Sequence, residues 1–214
     1  MLSKSEVKTI TTPNKLTFKE FLEQYPNDSI CELINGEIVE MDTTRSHKSI
    51  QYALMRKFDQ ECENLQLDYI IGNDIKIRTL TAKGEEKGRN PDISVVSRAM
   101  WRSNLSDYAA FTEPIQLAVE VVSTNWEDDY EDKLDEYQRL GIPEYWIVDY
   151  LAQGSRKILG YPKVPTIFIY QLVEGVYQVQ AFRGDDAIIS VTFPQLVLNA
   201  NQVFQSSTTG RIIA

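Results

Sequence analysis

The run that most constrains this chain is Ile115–Tyr150, IQLAVEVVSTNWEDDYEDKLDEYQRLGIPEYWIVDY. Its two apolar ends, 114–123 and 143–150, read as buried strands. Between them Thr124-Asn125-Trp126-Glu127 fits the Ser/Thr-x-x-Glu capping box, and a helix runs on to about Leu140 and stops at Gly141. Inside the first strand, four apolar residues and a glutamine lead into Glu120, after which apolar residues resume. A carboxylate in a buried strand is costly unless it is paired. Glu120 therefore calls for a cation, either a lysine or a metal ion.

The rest of the chain can be read around this stretch. LTFKEFLEQY (16–25) has helical apolar spacing and ends at Pro26-Asn27-Asp28. SICELINGEIVEM (29–41) reads as a hairpin on Asn35-Gly36. In 46–65, Ile50, Leu54, Phe58 and Cys62 recur every four residues, the mark of an amphipathic helix. Residues 67–80 read as one strand bent at Gly72-Asn73, 81–90 as a polar loop and 91–97 as a strand opening on Pro91-Asp92. Residues 98–113 are expected to form a mixed loop or short helix. A second hairpin is expected at 165–182 on Glu174-Gly175, then a last strand near 186–192 and a capping segment at 193–204. This order predicts an α/β (α+β) domain with a mixed central β-sheet flanked by helices and a hairpin near each end. Residues 1–15 read as a polar tail, 16–205 as one domain and 206–214 as a closing tail.

Alternation along a strand puts Glu120 and Val122 on one face and Val121 on the other. Asp92 opens a neighbouring strand. Two carboxylates at adjacent strand ends can share a divalent cation, and oxygen ligands suit Mg²⁺ or Mn²⁺. The backbone carbonyl of Val121 could add a third ligand. Asp129, Lys133 and Tyr137 fall on one helical stripe, so Lys133 could reach back toward the carboxylates. The competing reading of Asp92 is a turn cap, that of Glu120 a structural ion pair with Lys133, and that of Lys133 a surface pair with Asp129. Lys83, Lys87 and Arg89, just before Asp92, could touch phosphates or simply line a solvated loop. Tyr137, Tyr145 and Trp146 read as core or rim aromatics.

The net charge of −9 argues against a general nucleic-acid coat, though not against a local basic groove. Cys31 and Cys62 form no zinc or disulfide pattern and read as free thiols. The start of the chain has no apolar leader and no stretch reaches membrane-span length, so a cytoplasmic protein without a membrane partner is expected. One histidine gives no basis for a Ser-His triad.

PDISVV, AVEVVST and DDYEDKLDEYQRLGIPEYWIVD together resemble the Uma-type family of restriction-endonuclease-like proteins, within the PD-(D/E)XK nuclease superfamily. CELINGEIVEM followed by His47, and FPQLVLNANQVF, extend the resemblance over about residues 16–205. It implies a restriction-endonuclease-like core with Asp92 and Glu120 as acidic metal ligands. The superfamily's usual lysine, two residues after that Glu, is here Val122. The resemblance implies that Lys133 takes its place, that Glu32 completes the acidic set and that His47 lines the same cleft.

The expected function is a Mg²⁺- or Mn²⁺-dependent endonuclease acting on DNA. Two other readings are a non-catalytic module of the same fold and a hydrolase of a smaller phosphorylated substrate. Pairing through an edge strand or hairpin could make a homodimer.

Overall fold

The computed structural model describes residues 8–10, 14–26 and 29–213. Two six-stranded sheets carry the fold. The first contains β1 (Lys8–Ile10), β2 (Cys31–Ile34), β3 (Glu37–Glu40), β5 (Lys76–Leu80), β6 (Glu86–Arg89) and β8 (Ala110–Phe111), in the order β1-β3-β2-β6-β5-β8. The second contains β4 (Tyr69–Gly72), β7 (Ile93–Ser97), β9 (Leu117–Val121), β10 (Glu144–Asp149), β11 (Thr166–Val173) and β12 (Val176–Phe182), in the order β12-β11-β10-β9-β7-β4. Among the described residues only β9–β10 and β5–β8 pair in parallel, so both sheets are mixed, as the sequence predicts for one.

Among the described residues the chain changes sheet five times, and two of these crossings shape the site. It leaves the second sheet after Gly72 and enters the first at Lys76, so the expected bent strand 67–80 is two strands in two sheets. It returns through Asn90-Pro91-Asp92, between β6 and β7. The supposed loop 81–90 contributes β6, which pairs with β5 and β2. A strand reading EKGR is hidden from hydropathy because Lys87 and Arg89 are buried against acids rather than apolar groups.

Among the described residues six α-helices accompany the sheets: α1 (Phe18–Gln24), α2 (Arg45–Leu65), α3 (Arg98–Arg102), α4 (Lys133–Leu140), α5 (Arg156–Leu159) and α6 (Ala200–Thr209). The predicted stripe of α2, Ile50, Leu54, Phe58 and Cys62, packs on one face of the second sheet with Val119, Trp146 and Ile167. Each such side chain contributes about 1.5–3 kcal/mol on burial. Phe58 meets Trp146 edge-on and stacks on Phe193. The opposite face packs against α4, where Tyr137 joins Val122, Tyr145 and Ile147 of that sheet and Ile75 and Ile77 around β5. Helix α4 thus lies between the two sheets. A third cluster, Phe18, Phe21, Cys31, Leu33 and Ile38, closes α1 onto the first hairpin.

Both hairpins turn where predicted, with positive φ at Asn35, Gly36, Glu174 and Gly175. The last strand expected near 186–192 does not form. Ile188, Ser190 and Thr192 are buried in alternation with exposed Ile189 and Val191, as in a strand. The Ser190 hydroxyl and the Thr192 N–H instead bond the Glu144 carboxylate. Lys8–Ile10, read as tail, pairs with β3, and α6 extends to Thr209. The remaining tail residues 1–7 and 11–13, with Asn27 and Asp28 of the expected helix stop, lie outside the described residues, as does Ala214. Helical turns begin at Trp126, two residues after Thr124.

Candidate active site

The crossing from β6 to β7 builds the site. Asp92 follows Pro91 as the chain enters β7, and its carboxylate meets two other elements. Its Oδ2 accepts the Val121 N–H of β9 at 2.7 Å, and its Oδ1 lies 2.7 Å from His47 Nε2 in the first turn of α2. One helical turn on, the Gln51 amide donates to the Asp92 carbonyl. Burial works against ionisation here. His47, the Val121 N–H and Lys133 outweigh it and hold Asp92 below the usual carboxylate range. The turn-cap reading of Asp92 therefore gives way to a carboxylate fixed between α2 and β9.

Glu120 is buried on the α4 side of the second sheet, as alternation requires. Its Oε1 accepts the Tyr137 hydroxyl at 2.8 Å, and its Oε2 lies 3.0 Å from Lys133 Nζ. The lysine predicted to reach back does so. The same ammonium holds Asp129 at 3.0 Å and stands 3.8 Å from Glu32. One lysine cannot balance this ring. Burial, and then Asp92, Asp129 and Glu32, push the Glu120 carboxyl well above its ordinary value against the pull of Lys133. Burial also drives Asp129 up to about 6. Burial alone depresses the ammonium, but Asp129, Glu120 and Glu32 override it and hold Lys133 firmly protonated.

Arg89 anchors the outer half of the cluster and is fully buried. Its Nε and Nη2 bond Glu136 at 2.8 and 2.9 Å, its Nη1 bonds Glu32 at 2.9 Å, and both Nη atoms bond Asp128 at 3.1 Å. All five N–H groups of a guanidinium are thereby used. The phosphate-contact reading of Arg89 is overturned, and with it that of Lys87, which is buried against Glu136 and Asp132. Asp128 reaches Arg89 from a widened turn, Asp128–Asp132, in which the Lys133 N–H bonds back five residues to Asp128. Such π-type turns often re-aim side chains at functional sites. Here Asp128 meets Arg89 while Asp129 meets Lys133.

All six candidates, Glu32, His47, Asp92, Glu120, Val121 and Lys133, line one small cavity of about 60 Å³. Val122 is buried in the core and Val121 offers the site only its main chain. Tyr145 and Trp146 are fully buried. Sequence reading missed Arg89, which fixes the Glu32 carboxylate, and Gln51, which holds the Asp92 main chain. It also missed Asn90, which lines the cavity and leaves its buried Oδ1 without a partner. One signal was available: 127–136 holds seven acids and one lysine, more negative charge than a buried helix face tolerates without outside cations.

Among the described residues no three His, Cys, Asp or Glu side chains converge as a ready-made ligand set. The chain itself offers two carboxylates, Asp92 and Glu120, with the Val121 main chain beside them. That set suits Mg²⁺, which takes one or two carboxylates and keeps most of its water. The upward push on Glu120 marks the same excess of negative charge.

A mixed sheet flanked by helices, with acidic side chains and a lysine gathered at its strand ends, defines a restriction-endonuclease-like protein. The family model for Uma2, described as "Putative restriction endonuclease", matches residues 18–201, and the chain belongs to that family. Among solved structures, the fold resembles that of "a putative nuclease belonging to DUF820" from Anabaena variabilis. The two share 18% identity at a TM-score of 0.67, over 90% of this chain and 99% of that one. None of the curated proteins matches the chain.

Proposed function

We propose that this protein is a Mg²⁺- or Mn²⁺-dependent endonuclease of the PD-(D/E)XK type that hydrolyses phosphodiester bonds in DNA, acting in the cytoplasm. The observation that carries this reading is the 3.0 Å approach of Lys133 to Glu120, in the cavity that also holds Asp92. In this reading a lysine from α4 takes the role left open by Val122. Family membership supports the nuclease class, and the buried Cys31 and Cys62, which form no disulfide, suit a reducing compartment.

In this reading Asp92, Glu120 and the Val121 carbonyl hold the cation. When bound, it supplies Lewis acidity toward a phosphoryl oxygen and makes water more acidic. Lys133 orients the attacking water and offsets charge developing on the phosphate. Glu32 and Asp129 keep that ammonium in place, His47 fixes the Asp92 carboxylate, and Tyr137 fixes that of Glu120. Arg89 makes no contact with substrate; it sets the position of Glu32 and Asp128.

The test is cleavage of supercoiled, linear and single-stranded DNA with Mg²⁺ or Mn²⁺. Glu120→Gln should lose at least about a hundredfold in rate while keeping wild-type circular dichroism. Full-rate cleavage by that variant would refute the assignment. The small cavity and the two hydrogen bonds already satisfying Asp92 favour the second reading, a non-catalytic module of the same fold. Calorimetry separates the two, since the module binds neither ion and tolerates Asp92→Ala.

A further inference from the structure

Strand β12 is the outermost strand of the second sheet, with β11 on one side only. The two-residue turn Glu174-Gly175 closes on the Val173–Val176 pair, and such a closing pair exchanges hydrogen bonds. By alternation, Val176, Gln178, Gln180 and Phe182 bond to β11. Tyr177, Val179 and Ala181 then turn their N–H and C=O groups outward. The Tyr177 N–H agrees, since it goes to the Gln138 side chain of α4 at 2.7 Å. Among the described residues nothing takes the outward groups of Val179 or Ala181.

Natural edge strands are usually guarded by lysine, proline, a bulge or short length. The seven residues of β12, VYQVQAF, have no charge and no proline, and their register with β11 is unbroken. Val176 and Val179 are 60% and 53% exposed. Two copies of a chain with net charge −9 repel over most of their surfaces, so they can meet only on a neutral strip.

We propose that β12 pairs antiparallel with β12 of a second copy about a two-fold axis at Val179, joining the two second sheets into one. This strand is self-complementary in that register. Val179 lies opposite itself, Gln178 meets Gln180, and Tyr177 meets the small Ala181. The charges that flank the strand, Glu174 at one end and Arg183 at the other, come to the same end across the axis. The two Val179 residues exchange N–H···O bonds, and each Tyr177–Ala181 pair forms as the Gln138 side chain swings aside and yields the Tyr177 N–H to the Ala181 carbonyl. A closed two-fold of this kind consumes both free edges and stops at the dimer. The proposal stands independently of the nuclease reading.

The test combines light scattering over a dilution series with cysteine cross-linking. In an antiparallel hydrogen-bonded pair the Cα atoms are about 5.5 Å apart, within disulfide reach. Val179→Cys should therefore form a covalent dimer on mild oxidation. Gln178→Cys alone should not, whereas a mixture of Gln178→Cys and Gln180→Cys should. Cys31 and Cys62 are buried and give no background. Val179→Pro, whose missing N–H is not part of the β11 ladder, should be monomeric with wild-type circular dichroism, and so should Val179→Lys. A monomeric wild type overturns the proposal, including one that instead takes up an uncharged extended peptide along β12. So does a dimer that survives both Val179 variants, or a wild-type dimer in which Val179→Cys fails to cross-link.

Discussion

Glu136 shows how one carboxyl is tuned by its partners. It lies on the buried side of α4 and takes hydrogen bonds from Arg89 and Thr79 and an ion pair from Lys87. Burial opposes its charge, but the Arg89 bonds, then Arg89's charge, Thr79 and Lys87, hold its pKa down to about 2, against an ordinary value of 4.5. A lowered folded-state pKa stabilises the native protein above pH 4.5, and that stability is lost as pH falls toward 2. Glu136→Gln should therefore cost about 3 kcal/mol at neutral pH. The gap from wild type should close as both are acidified through that window, and denaturant melts at each pH check this. A gap that stays constant with pH would show that the ion pairs do not set it. Glu120 was legible in the sequence because strand alternation is a local rule, whereas spacing alone left Asp92 as a turn cap and Lys133 on a solvated face, and only the resemblance to a nuclease family singled them out. Arg89 was not legible, because its acceptors Glu32, Asp128 and Glu136 lie 57, 39 and 47 residues away and only folding assembles them.

At the scale of elements, the hairpins and helices were readable because their signals are short. Asn35-Gly36 is the clearest case. Gly36 has φ +81°, and a Cβ there would stand 2.6 Å from the Lys15 Cβ, which packs against the turn. Gly36→Ala combines that clash with a conformation that alanine resists, so it should cost more than about 1 kcal/mol. Thermal melts should show it, while Gly84→Ala, with open space around its Cβ but a similar φ, isolates the backbone cost alone. Equal losses in the two variants would remove the role given to Lys15. What the sequence concealed at this scale was partnership. Strand β6 is polar because it is buried against acids, 188–192 alternates like a strand but bonds Glu144, and nothing local marks Gly72–Lys76 as a change of sheet.

For the whole molecule, the proposed cation makes a measurable difference. A ligand that binds only the native state at a hundred times its Kd stabilises by about 2.7 kcal/mol, which for a chain this size raises Tm by about 5–10 °C. Mg²⁺ or Mn²⁺ should give such a shift, a chelator should reverse it, and Glu120→Gln should abolish it. An equal shift in that variant would move the ion elsewhere. The cavity also draws on both sheets, with Glu32 coming from the first, Glu120 from the second and Lys133 from the helix wedged between them. Whatever tightens that acidic ring must also set the angle between the two halves of the fold. The pocket is thus a rivet between the two halves, and filling it should be felt as stiffness far from the carboxylates themselves.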